Sequence, residues 1–292
     1  ISRQKMNDSD RIFYNEGSTL VTENELFGRL SYGLAAGRNG KVEIDLGYGH
    51  LLGRFFDGMV VGNYSRDRLT QNLAQLRVNF ENNTLNDVLY ATQGHFIRAT
   101  VLGVYGTRSF IPYNDRRLDI RENDAKWLQF NAEFQKYWNI CDGLELGVES
   151  NIVASTQKKL PSYAATLVSL PSFHPTASTY NTFNSRLRAP QFFTLGLQPV
   201  WKVTSMLQVR GEFHGFLPWR QLEAGPAEND GFSTPRYGRW FSNPQFFGEM
   251  SAVYALPFAH FTAYANYCTS PDARWNFGIS FGLFFLAPKF MD

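Results

Sequence analysis

Five residues near the C-terminus, Gly278-Ile279-Ser280-Phe281-Gly282, spell the G-x-S-x-G string that serine acyl hydrolases use as a nucleophile elbow. That chemistry needs a strained strand-to-helix turn that exposes the hydroxyl and aims backbone N–H groups at the oxyanion. Ser280 instead sits inside an unbroken alternation of large and small side chains, with ten residues of chain after Gly282. The setting predicts a strand serine facing a lumen, and no catalytic residue in the chain. Asp57-Gly58, Asp142-Gly143 and Asp230-Gly231 read as turns, because the pair is common where a positive φ is needed. His50, His95, His174, His214 and His260 fall on different elements with no H-E-x-x-H or related spacing, so neither a metal site nor a cofactor is expected. Cys141 and Cys268 cannot form a metal site alone and read as free thiols.

What remains is charge spaced along alternating segments. Arg98, Lys126, Glu145, Glu149, Arg210 and Glu212, together with His214, are expected to face a lumen. Such a set lines a hydrated conduit or pairs across a filled interior, because an unpaired buried charge is costly.

The elements that would position these residues are strands. Trp275, Phe277, Ile279, Phe281, Leu283 and Phe285 alternate with Asn276, Gly278, Ser280 and Gly282; Leu207, Val209, Phe213, Leu217 and Trp219 alternate with Gln208, Arg210, Glu212 and His214. The same period of two separates Leu144, Leu146, Val148 and Ile152 from Glu145, Gly147, Glu149 and Asn151. It also separates Leu128, Phe130, Ala132 and Phe134 from Gln129, Asn131, Glu133 and Gln135, and Val42, Ile44, Leu46 and Tyr48 from Lys41, Glu43, Asp45 and Gly47. One greasy face opposite one polar face fits a strand with lipid outside and a wet lumen inside. A large soluble β protein would bury the apolar face instead, and the sequence alone leaves that alternative standing.

Strands are predicted near 26–36, 41–54, 70–82, 94–107, 126–139, 143–157, 191–204, 206–220, 244–257, 259–269 and 274–286, with Arg11-Ile12-Phe13-Tyr14 as a candidate twelfth. Every second link is short, and Asn39-Gly40 and Asp142-Gly143 are hairpin signals. The alternate links, 55–69, 108–125, 158–190, 221–243 and 269–273, are polar and mostly long, as outer-membrane barrels show on their outer side. The link 83–93 is a long exception on the turn side. Within 158–190, Tyr163 to Leu170 has the makings of a short helix or plug, but an ordinary surface loop is the preferred expectation. The Gly- and Pro-rich segment 221–243 reads as an exposed loop.

Composition agrees with this class. The chain has 292 residues, 16% of them aromatic and 26 of them Phe, which suits lipid-facing bands with aromatic girdles. No segment approaches the ~18 uninterrupted apolar residues of a spanning helix. A mean hydropathy of −0.29 is compatible with strands that are half polar. The net charge of +2 with scattered basic residues gives no support to a nucleic-acid partner. The start, Ile1-Ser2-Arg3-Gln4-Lys5, carries no signal peptide and reads as a mature or truncated beginning. Residues 1–25 are expected to be the end of a preceding strand or loop, and 26–292 an all-β transmembrane antiparallel barrel domain.

Several blocks carry a resemblance: Asn83-Thr84-Leu85-Asn86, Gln93 to Ala99, Leu170 to Thr176, Leu207 to Pro218 and Phe246 to Pro257. Together they resemble the C-terminal barrel of outer-membrane patatin-like phospholipases, within the superfamily of barrel-assembly and two-partner-secretion pores. The resemblance covers about 25–286 and implies a Gram-negative outer-membrane barrel of about sixteen strands, of which 11–12 would lie in this chain. It implies a patatin hydrolase domain and a small periplasmic domain upstream, with any Ser–Asp dyad located there. The expected partners are outer-membrane lipid and either those upstream domains or another chain completing the barrel. The alternatives are a barrel for outer-membrane protein assembly or secretion and a passive porin-like channel.

Overall fold

The computed structural model describes residues 2–8, 19–56, 66–180, 182–227, 232–256, 259–269, 275–282 and 290–291. The chain opens with β1 (Ser2–Asp8), β2 (Thr19–Ala35), β3 (Gly40–Phe55), β4 (Asp67–Asn83), β5 (His95–Ile111), β6 (Ile120–Cys141) and β7 (Leu144–Ser155). A helix α1 (Tyr163–Ser169) and the short β8 (Thr182–Phe183) precede β9 (Gln191–Lys202) and β10 (Leu207–Pro218). The hairpin β11 (Arg220–Ala227) and β12 (Ser233–Trp240) follows, then β13 (Gln245–Ala255), β14 (His260–Cys268) and β15 (Trp275–Gly282).

Eleven of these strands lie where alternation predicts them. A further long strand is β1, which pairs antiparallel with β2. The strand expected at Arg11–Tyr14 lies outside the described residues, as do the Asp57-Gly58 and Asp230-Gly231 turns and residues 283–286 of the last expected strand. Asp142-Gly143 does turn with Gly143 at φ +79°, whereas in the first hairpin the positive φ belongs to Gly37, not to the Asn39-Gly40 pair.

One sheet of thirteen strands contains all but the β11–β12 hairpin, in the order β15-β14-β13-β10-β9-β7-β6-β5-β4-β3-β2-β1-β8. Its pairs are antiparallel except β1 with β8. Among the described residues β15 has only β14 as a neighbour. β4 has 17 residues and β6 has 22, well beyond the ~9–11 a tilted strand needs to cross a bilayer.

Register sorts the two faces. Leu30 faces Leu46, Leu46 faces Leu76, and the row continues through Gly103 to Leu128. These leucines are exposed, Leu30 at 76%. One position along, Asp45 opposes Arg77 and is fully buried, with Arg77 Nε donating to its Oδ2 at 2.6 Å. An apolar outer face holds across the sheet, with Leu195, Leu197, Met250, Phe277, Ile279 and Phe281 exposed, while the inner face mixes buried polar residues such as Gln198, Arg210, Glu212 and Glu249 with apolar clusters.

The buried face is enclosed because the sheet curls. The link between β4 and β5 reaches β10 and β14, far away in sheet order: Thr262 Oγ1 donates to Tyr90 Oη at 3.0 Å, and Arg210 Nη1 to the Ala91 carbonyl at 2.8 Å. An Asx turn shapes that link, with Asp87 Oδ1 accepting from the N–H groups of Leu89 and Tyr90, and Asn86 Oδ1 closes the loop by accepting from those of Thr92 and Gln93.

One expected surface loop proves to be interior structure, and another an ordered, partly exposed hairpin that covers it. In the first, Ala164, Ala165, Leu167 and Val168 of α1 are buried against Phe55, Leu69 and Phe110. The helix is buried on every side, and its two hydroxyl residues are satisfied internally, Thr166 donating to the Ser162 carbonyl and Ser169 to that of Thr166. The Ser162 hydroxyl caps its start by accepting from Ala165 N–H. In the second, the expected loop 221–243 forms β11–β12, whose Leu222 and the adjoining Phe232 join the same cluster over α1.

Candidate functional site

The densest polar constellation lies in the interior near the turn end of the sheet, built from β6, β7, β9 and β10 under the β4–β5 link. Arg210 is 1% exposed and lies 3.2 Å from Glu212 Oε1. It also donates to Tyr137 Oη at 3.2 Å and to the Ala91 carbonyl. Tyr137 donates to Gln198 Oε1, and Gln198 Nε2 donates to Glu149 Oε2 at 2.8 Å. The rings of Tyr90 and Tyr137 lie 5.8 and 6.0 Å from the guanidinium. Every donor of this set meets an oxygen or a ring of the fold itself, which is the condition for holding charge away from water.

The structure thus brings Glu149, Arg210 and Glu212 together and disperses the other expected residues. Glu145 is buried on Lys202 at 2.6 Å, and Arg98 pairs with Glu133 at 2.7 Å. His214 is buried edge-on to Phe173, with ring centroids 5.7 Å apart. Lys126 corrects its expectation: its side chain is 66% exposed, paired with Asp124 at 3.1 Å on the outward face beside Leu128 and Phe130. Its long stem covers apolar surface while its ammonium stays wet, so its charge does not mark the interior. Ser280 lies within β15 opposite Thr262, so no strand-to-helix elbow forms around it.

Four participants, two uncharged and two charged, escape the reading of the sequence. Tyr137 and Gln198 link Arg210 to Glu149; both follow the parity of Gln135 and Gln208, so the period of two contained the signal. Glu249 accepts from Thr176 Oγ1 at 3.0 Å, from Asn266 Nδ2 at 3.2 Å and from Ser178, and so ties the 156–190 insertion to β13. At the loop end Arg188 donates to the carbonyls of Val168 and Leu170, at 3.0 and 3.2 Å, closing the C-terminus of α1. Burial pulls this guanidinium down to about 10, still cationic at neutral pH.

The arrangement holds charges in place and fills space. In the insertion Ser172 Oγ lies 2.9 Å from His174 Nε2, whose Nδ1 is 3.2 Å from the Thr179 carbonyl; Cys141 and Cys268 are free thiols. The β4–β5 link packs on the enclosed face near the turn end, and α1 under its hairpin cover packs on it near the loop end.

Neither a protein-family model nor a curated protein matches the sequence. Among solved structures, the translocator domain of autotransporter NalP from Neisseria meningitidis is similar at TM-score 0.37 and 10% identity, over 91% of this chain and 82% of that one. The beta domain of the Bordetella autotransporter BrkA gives 0.40 and 9%, over 96% and 92%. The transport unit of AIDA-I from Escherichia coli gives 0.36 and 12%, over 91% and 84%. At such scores the reading of this chain rests on its own geometry.

Proposed function

We propose that this chain is an outer-membrane β-barrel of a Gram-negative bacterium whose interior is closed at rest, and that it serves as an anchor or translocation unit. The observation that carries the reading is the continuous outward row of exposed leucines, valines and aromatics over buried ion pairs. An apolar surface of this extent is stable in lipid and a liability in water. Strands can span a bilayer without helices because their backbone groups pair between neighbours.

The filled interior favours an anchor or gated conduit over a passive porin. Purified, refolded barrel in a planar bilayer is expected to show no steady conductance; a constant open-pore current would overturn the closed reading. The finer reading is a barrel of about sixteen strands carrying an upstream patatin-like hydrolase, supported by the motif resemblance and by the single neighbour of β15 among the described residues. Its test is the intact mass of the protein extracted from its native membrane against the 33.3 kDa of this chain. A much larger polypeptide supports the hydrolase reading, and a matching mass removes it.

A further inference from the structure

The interior holds a second built site, occupied by the chain itself. Phe290 is fully buried and packs on Leu51, Leu73, Leu102 and Trp127 on the inner face of β3 to β6. Its own peptide groups are gripped from both sides: its N–H donates to Glu25 Oε2 at 3.0 Å, and its carbonyl accepts from Arg29 Nη2 at 2.9 Å. Glu25 and Arg29 share the inward face of β2, one turn of the pleat apart on either side of Phe27, whose ring lies 5.8 Å from that of Phe290. The floor is glycine: a Cβ on Gly49 would sit 2.9 Å from Phe290 Cδ2, and one on Gly47 3.3 Å from Cε2.

The same hypothetical Gly47 Cβ would lie 3.1 Å from Gln75 Nε2, so that amide borders the ring. Gln75 is 4% exposed, and neither its Oε1 nor its Nε2 has a partner among the described residues. A buried primary amide with both ends open beside a gripped peptide unit is equipped to pair a further N–H and C=O. An acid for an N–H, a guanidinium for a carbonyl, an open amide and a flat aromatic slot together recognise a polypeptide main chain carrying an aromatic side chain.

We infer that the inner face of β2–β4 is a binding site for a polypeptide segment carrying an aromatic residue, and that Phe290 is its resident, displaceable occupant. The inference is independent of the membrane reading, since it concerns only the enclosed face.

The probe is a fluorescent peptide of residues 287–292 (Ala-Pro-Lys-Phe-Met-Asp), titrated onto full-length protein whose folding is checked by heat-resistant electrophoretic migration. Phe290→Ala, which empties the slot and keeps the chain length, is expected to bind the peptide saturably, at least tenfold more tightly than the unaltered chain does. Replacing the peptide's Phe by Ala, or adding Glu25→Gln with Arg29→Met to the Phe290→Ala protein, is expected to weaken binding at least tenfold. Equal binding to occupied and emptied protein, or no loss with the Ala peptide, overturns the inference, as does no binding to folded Phe290→Ala. If that variant does not fold, amide hydrogen exchange of the unaltered chain decides: Phe290 N–H protected at least a hundredfold supports a gripped occupant, and exchange at the rate of an open loop refutes it.

Discussion

Lys126 and Arg210 carry the same charge on the same sheet, yet one touches solvent and the other touches only protein. The difference sets what their removal should do. Arg210→Met leaves Glu212 buried without its counter-charge and is expected to cost about 3–5 kcal/mol in denaturant unfolding of the detergent-folded protein. Adding Glu212→Gln should recover part of that loss, because the carboxylate in direct contact with Arg210 is then neutral. Lys126→Gln should stay within about 0.5 kcal/mol of the parent, as an exposed ion pair contributes little. At this scale the sequence was legible through parity: Arg210, Glu212 and His214 follow the period of two to the inside, and Lys126 shares the parity of Leu128 and Phe130. Charge was the misleading signal at Lys126, and aromatic character hid Tyr137, whose hydroxyl joins Arg210 to Gln198.

Among elements, α1 is the one that fills the loop end of the enclosed face. Leu167 is fully buried between strand ends and the β11–β12 cover, so Leu167→Ala is expected to cost about 2–5 kcal/mol, read by the same unfolding assay. Arg188→Met removes the donor to Val168 and Leu170 carbonyls and should speed amide exchange in α1 while leaving β3 and β4 protected. The strands were readable because each carries its own face pattern. α1 was half readable: Tyr163 to Leu170 has the makings of a short helix, but a seven-residue helix has too few turns to show a period of 3.6. The β11–β12 hairpin was hidden by its Gly and Pro content, since its pairing answers to the α1 surface it covers.

At the scale of the whole molecule, the outward row defines the expected solvent. A cation placed in mid-row, such as Ile279→Arg or Leu30→Arg, should lower folding into lipid by about 2–4 kcal/mol, falling toward zero at the ends of the strands. The sidedness of the links was legible from their lengths alone. Curling was not, because it depends on contacts such as Tyr90 with Thr262 that join segments 172 residues apart and leave no local pattern. The most direct test of the central claim is the environment of the outward face. Spin labels at positions 30, 46 and 76, and at the inward positions 75 and 79, would be compared in outer-membrane-lipid vesicles for relaxation by oxygen and by a water-soluble nickel chelate. The account predicts strong oxygen and weak nickel accessibility at 30, 46 and 76, with little of either at 75 and 79. Nickel accessibility at 30, 46 and 76 equal to that of the exposed loop residue Lys159 would contradict it.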